Sequence, residues 1–251
     1  MSRPHEDHLA FFKDNGFVKA GTILTDAELA EVRAAAQREI AAPRGIVQME
    51  NGGSGPVVRR VSRLLERDDA FRRVAAHPVV AGYVGALLGY PFEICLNRHN
   101  MMLCEAAGRK DRVGWHQDAG DWRCDRIISL TILLDDATAA DGCLHVAPGV
   151  YRDPELQQPG VRMDLGKAKN QEIIHRAVPI ECKAGEGYFF HSLTPHIPGP
   201  NHSPHQRKSL HFAYVASRDR DLAAAYTALE TITIEAPGRW SGNATRKDDV
   251  Q

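Results

Sequence analysis

Residues 114–136 read GWHQDAGDWRCDRIISLTILLDD: a histidine and an aspartate two positions apart, set between two tryptophans, run into the most apolar stretch of the chain. The segment IISLTILL has the β-branched, leucine-rich texture of a strand. A strand sends residues two apart to one face, so His116 and Asp118 converge if residues 115–118 are extended, and Gln117 points away. An imidazole nitrogen and a carboxylate oxygen on one face are two-thirds of a facial triad, the set that holds Fe(II) and leaves other positions open. A second histidine must come from elsewhere in the fold.

From Pro91 onward the surroundings of this stretch have the same texture. FEICLNRHNMMLC (92–104), CLHVAP (143–148), AVPIECK (177–183), GYFFHS (187–192) and KSLHFAYV (208–215) are short apolar runs separated by Gly, Pro, Asp and Asn, and each reads as a strand. Strands following helices predict an α+β, mainly β chain whose core is a double-sheet jelly roll. The polar segment 150–176 interrupts the rhythm as an insertion.

Upstream, TDAELAEVRAAAQREIAA (25–42) predicts a helix opened by a Thr25/Glu28 capping box, with Leu24, Leu29, Val32 and Ala36 as its apolar stripe. Shorter helices are expected over 6–14, 68–76 and 78–89, the last with Pro78 in its first turn and Gly89 as its stop. GIVQMENGGSGP (45–56) is glycine-rich and aperiodic, and reads as a flap or a long surface loop. After a helix-like 219–230, the end 236–251 is expected to be loosely packed. The whole chain, 1–251, reads as one domain: helical support to residue 90, a core over 91–216, then a helix and tail.

Lys and Arg number 31 against 32 Asp and Glu, a net charge of −1, so no footprint for nucleic acid or an anionic membrane is evident. No run is long enough to span a bilayer, and the start lacks a signal peptide's apolar core, so a cytoplasmic protein is expected. The five cysteines, Cys95, Cys104, Cys124, Cys143 and Cys182, include no C-x-x-C pair, against a disulfide framework or zinc knuckle.

The missing histidine has several sources. Within 189–212, FFHSLTPHIPGPNHSPHQRKSLHF, lie His191, His196, His202, His205 and His211. An α-keto dicarboxylate chelating the iron has a far carboxylate that calls for an always-charged, two-pronged partner, which Arg supplies better than Lys. Arg207, on the next apparent strand, is the candidate.

Taken in order, WHQD (115–118), LDD (134–136), DGCLHVAPG (141–149), GEGYFFHSLTPHIPGPN (185–201) and RKSL (207–210) resemble the phytanoyl-CoA dioxygenase family of Fe(II)/2-oxoglutarate oxygenases. The resemblance covers about 91–216 and implies a cupin-like double-stranded β-helix with helices packed on one sheet. It implies that His116, Asp118 and His196 are the iron ligands, with His191 on a family histidine that is not one. Arg207 then clamps the distal carboxylate of 2-oxoglutarate, Thr131 lines the cosubstrate pocket, and Asn100 lies near a residue that bonds the proximal carboxylate in some relatives. Strand parity leaves Asn97 and His99 open for that last role.

The implied reaction takes 2-oxoglutarate and O2 to succinate and CO2 while a C–H bond of a small-molecule substrate is hydroxylated or otherwise oxidised, as in desaturation or ring closure. Halogenating relatives carry Ala or Gly in place of the carboxylate ligand, so Asp118 points away from halogenation. Two departures touch the pockets: IPGPN lacks the serine usual two residues after the late histidine, and GVYRDP replaces P-G-S-H. Segments 45–56 and 150–176 with Trp122, a substrate-contact candidate, are expected to form the mouth for a small or medium polar molecule, a natural-product intermediate being one kind. Trp115 reads as buried wall, Tyr188, Phe189 and Phe190 as core, and Asp135-Asp136 as a turn. Arg59, Arg60 and Arg63 could meet an anionic substrate, although a solvated face is the commoner use of such a cluster. The rival classes are a non-redox cupin-like isomerase or hydrolase and a silent binding module; succinate formation separates them from an oxygenase.

Overall fold

The computed structural model describes residues 4–52, 55–97, 99–105, 114–118, 127–153, 163, 166–219, 230–236 and 239–241. In chain order these form α1 (Glu6–Asn15), β1 (Phe17–Thr22), α2 (Asp26–Ala41), β2 (Val47–Gly52), β3 (Gly55–Ser62), α3 (Asp69–Ala75), α4 (Pro78–Leu88), β4 (Phe92–Cys95) and β5 (Met101–Glu105). There follow β6 (Ile127–Leu133), β7 (Leu144–Val146), α5 (Ala168–His175), β8 (Val178–Ile180), β9 (Glu186–His191), β10 (His196–Pro198), β11 (Arg207–Ala216), β12 (Thr231–Ala236) and β13 (Arg239–Ser241). Thr25 caps α2 with the reciprocal bonds of a capping box, and Pro78 and Gly89 bound α4 as the sequence predicts.

The major sheet runs β1-β9-β6-β11-β4-β12-β13, with β5, β3 and β2 branching from β11. The minor sheet is β10-β7-β8. These are the two layers of the cupin-like fold. β11 organises the larger one. Its alternation sends Leu210, Phe212 and Tyr214, all fully buried, toward α2, α3 and α4, where they join Met102, Leu130, Ile132, Phe71 and Val84 in the main core. The opposite face of the same strands carries Arg207, Ser209 and His211 toward the minor sheet. A second apolar cluster, including Leu133, Cys143, Val146, Tyr188 and Phe190, fills the space between the sheets. One period-two pattern thus separates a dry, helix-covered face from a face that carries chemistry.

Four sequence expectations change. Residues 92–104 do not form one strand: β4 and β5 both pair with β11, at its far and near halves, and the chain breaks between them. Asn100 holds that break, its Oδ1 accepting from Leu65 N (3.1 Å) and its Nδ2 donating to Leu96 O (3.0 Å). The glycine-rich 45–56 is not an aperiodic loop: it holds β2 and the start of β3, a hairpin that extends the sheet through β5. The first ninety residues are not purely helical, because β1 covers the edge of β9.

The fourth change is in the tail. β12 pairs with β4 and β13 with β12, so part of 236–251 is ordered; without β12, β4 would be an open edge. The helix-like 219–230 lies almost wholly outside the described residues. Cys95, Cys104, Cys143 and Cys182 are buried and form no disulfide, and burial pushes Cys104 and Cys182 up to about 12, which makes them inert. Among the described residues no helix is long and apolar enough to cross a membrane.

Candidate metal centre

His116 and His196, distant in sequence, are direct cross-strand partners. The backbone N–H of His116 donates to His196 O (3.1 Å) and that of His196 to His116 O (2.9 Å). This pairing brings the rings to 4.3 Å between centroids. Each ring then turns the same way: His116 Nδ1 lies 2.9 Å from Gly114 O and His196 Nδ1 2.9 Å from Thr194 O. A carbonyl can only accept, so Nδ1 carries the proton in both and Nε2 keeps its lone pair.

Both lone pairs face one carboxylate. Asp118 Oδ1 is 3.9 Å from His116 Nε2 and 3.7 Å from His196 Nε2, and the ligand atoms of all three residues lie within 4.8 Å of one another. Of residues 115–118 expected to be extended, His116 is held in a β-bridge; Asp118 lies outside any strand, its carboxylate facing both imidazoles. Its other oxygen accepts from Ser129 Oγ (3.3 Å), and His99 Nε2 stands 3.5 Å from Oδ1. Burial opposes the charge on Asp118, but the positive charge of the His99, His196 and His116 rings when they are protonated, with the Ser129 hydrogen bond, holds its carboxyl below the usual range. Two neutral imidazole donors and one ionised oxygen, with one side left open, make a donor set that fits a divalent ion such as Fe(II).

A cavity of about 140 Å³ leads from this centre to Arg207. Arg207 is 8% exposed, and its Nε and Nη2 donate to the carbonyls of Asp141 (2.9 Å) and Gly142 (2.8 Å). Gly142 has φ +78°, and a Cβ there would stand 2.6 Å from Gly199 O, so this turn is built for glycine. Burial lowers the Arg207 pKa, opposed by the more distant Tyr188, Cys143 and acidic groups, yet an arginine keeps its charge. A buried guanidinium whose hydrogen-bond partners among the described residues are neutral carbonyls leaves its charge to be met by an anion in the cavity.

Thr131 and His211 wall the same cavity as cross-strand neighbours. His211 Nδ1 is 3.1 Å from Thr131 Oγ1 and its Nε2 2.9 Å from Ser209 Oγ. Burial, then the nearby His99 and Arg207, push His211 down to about 3, so it stays neutral at ordinary pH. The unfolded chain takes up this proton near pH 6.5 and the folded one does not, so stability falls as pH drops from 6.5 toward 3. In the metal-free protein this single group is expected to cost on the order of 2 kcal/mol by pH 5. Urea titrations at pH 7 and pH 5 check it: His211→Gln should shrink the difference, and an unchanged difference would assign the acid sensitivity to other groups.

The remaining candidates separate. Asn100, its amide bonded to Leu65 and Leu96, does not line the cavity that reaches Arg207; His99, at φ +40°, does, while Asn97 and Asn100 border a second cavity at the same centre. His191 turns to a separate cavity against Tyr151, with ring centroids 4.8 Å apart, and His202 and His205 are exposed. Trp115 packs on Ala147, Ile173 and Ile197, the buried wall it was read to be. Trp122 lies outside the described residues. Reading by sequence missed Ser129, Ser209 and the Asp141-Gly142 carbonyls; the parity of 207, 209 and 211 on one strand was the signal available for Ser209 and His211.

Compared with known families, residues 12–209 match the model of phytanoyl-CoA dioxygenase (PhyH). The chain belongs to the phytanoyl-CoA dioxygenase family. Like the dioxygenases and hydroxylases among its relatives, this family member is an Fe(II)/2-oxoglutarate-dependent dioxygenase, with O2 as the second cosubstrate. It is 26% identical to methylphosphonate hydroxylase of Gimesia maris, over 89% of this chain and 85% of that one. It is 23% identical to ectoine dioxygenase of Bordetella parapertussis, over 83% and 74% respectively. In fold it is similar to EctD from S. alaskensis with 2-oxoglutarate and 5-hydroxyectoine (TM-score 0.76, 22% identity, 98% of this chain and 88% of that one).

Proposed function

We propose that this dioxygenase hydroxylates, or by the same chemistry desaturates or cyclises, a small or medium polar metabolite. In this reading His116, Asp118 and His196 hold the iron and Arg207 grips the far carboxylate of 2-oxoglutarate. The observation that carries it is the convergence of three ligand atoms within 4.8 Å beside a cavity that ends on a buried arginine with neutral partners. Relatives named as hydroxylases of methylphosphonate and L-proline support a small polar substrate.

When bound, Fe(II) with 2-oxoglutarate and O2 supplies the oxidation of a C–H bond, coupled to release of succinate and CO2. The chain's own contribution is placement. The Gly114 and Thr194 carbonyls fix both imidazoles with Nε2 inward, and Ser129 steadies Asp118. Arg207 orients the cosubstrate from the far end, while Thr131 and His211 form a neutral polar wall and Phe190, Leu144 and Pro198 exclude water. Such positioning and shielding are what a protein adds to a reaction carried by its cofactor.

The test is a screen of polar metabolites for stimulated succinate release under Fe(II), 2-oxoglutarate and O2, followed by mass spectrometry. The expected product has gained one oxygen atom or lost two hydrogens. If 2-oxoglutarate is not consumed with any compound, or without one, the oxygenase reading fails for this chain.

A further inference from the structure

On the side of the metal centre away from Arg207 lies a larger cavity of about 410 Å³, bordered by His116 and Asp118 and by Arg60, Ser62, Arg63 and Asn97. Its charge is out of balance. Arg63 is paired with Glu66 and Glu230, and Arg59 stands 3.8 Å from Glu50, but Arg60 has no acidic partner among the described residues. Its Nε is enclosed by protein and has no hydrogen-bond acceptor. Burial depresses the Arg60 pKa, and the neighbouring Arg59 adds to the effect with no anion to offset either.

The backbone explains why this arginine faces the site. Arg60 pairs across β3 and β5 with Leu103, and Leu103 pairs across β5 and β11 with Ser209, so the three form one lateral row on the inner face. Directly opposed residues in a sheet point to the same side. Arg60 therefore shares the face that presents Ser209 and Arg207 to the centre, from two strands away, roughly 10 Å at ordinary strand spacing. The bulge between Gln48 and Met49 sets the hairpin in this register. A solvated face does not describe Arg60, which is half-buried and lines a cavity.

A half-buried guanidinium without a counter-ion is costly unless a ligand completes it. We propose that Arg60 anchors an oxyanion on the substrate, so that this dioxygenase acts on a small organic acid whose oxidised C–H bond lies between the anchored group and the metal. This rests on the dioxygenase reading of the same centre. The site then holds two acids on opposite sides of the ligands, cosubstrate on Arg207 and substrate on Arg60. Carboxylates and phosphonates share the required chemistry, and the experiment separates them.

Short-chain carboxylates and alkylphosphonates, each beside its neutral amide or diester, are titrated calorimetrically into the protein loaded with Fe(II) and 2-oxoglutarate in the absence of oxygen. Acids of one class should bind and their neutral partners should not. Arg60→Met should weaken that binding roughly 10- to 100-fold, and Arg60→Lys, which keeps a charge without the fork, by less. The proposal is overturned if neutral partners bind as tightly as the acids, if no acid binds, if Arg60→Met binds acids like the parent, or if 2-oxoglutarate affinity is what falls. Should Arg60→Met not fold, Arg60→Lys and Arg60→Gln give the same comparison. Succinate released aerobically by the parent protein reports separately on the dioxygenase reading, so either idea can fail alone.

Discussion

His196→Ala is expected to abolish turnover and to lower iron affinity by more than about 100-fold, since outer partners of metal ligands alone are worth about 10- to 100-fold. The residue is 4% exposed, its Nε2 lies 3.7 Å from Asp118 Oδ1, and its backbone is what pairs with His116. Removing the ring leaves a two-ligand site and takes from the buried Asp118 carboxylate one of the imidazoles that face it. His191→Ala is the matched control: its ring packs on Tyr151 by a different cavity, so it should bind iron as the parent does and lose only that packing and the hydrogen bond its Nδ1 accepts from Leu193 N–H. Iron stoichiometry after anaerobic loading, read beside thermal melting, checks both. Full iron occupancy in a folded His196→Ala would hand the ligand role to a neighbour, His99 being nearest to Asp118.

Arg207→Lys is expected to raise the KM for 2-oxoglutarate on the order of 100-fold, with kcat less affected once the cosubstrate saturates. A guanidinium can spend two N–H groups on the Asp141 and Gly142 carbonyls and still present a planar edge to a carboxylate. An ammonium on a shorter stem cannot do both. Steady-state succinate formation against 2-oxoglutarate concentration is the measurement. Parental affinity in the lysine variant would move the distal carboxylate to another cation, and Arg59 lines the same cavity.

The site was more legible than the frame around it. His116 and Asp118 stand in a local pattern, and His196 and Arg207 lie on consecutive strands, β10 and β11, so the spacing between them is local too. Much of what supports them was hidden, for physical reasons. β1 is an edge strand that covers β9, and β12 and β13 continue the sheet beyond β4; short peripheral strands carry a weak pattern. In 45–62 the glycines and the bulge at Gln48/Met49 erase the period that would reveal a hairpin. The resemblance places Asn100 near the proximal carboxylate, and no local pattern records that its amide ties a break between strands at the border of a cavity. Arg60 looked like surface because its exposure depends on a pairing with Leu103 that no local pattern records.

Convergence of three remote side chains on one ferrous ion is the claim from which the rest follows. Anomalous diffraction at the iron edge, from crystals grown anaerobically with Fe(II) and 2-oxoglutarate, tests it directly. The expected result is one peak bonded to His116 Nε2, His196 Nε2 and an oxygen of Asp118, with the distal carboxylate of 2-oxoglutarate on Arg207. A peak elsewhere, or iron held without one of these three residues, would contradict it.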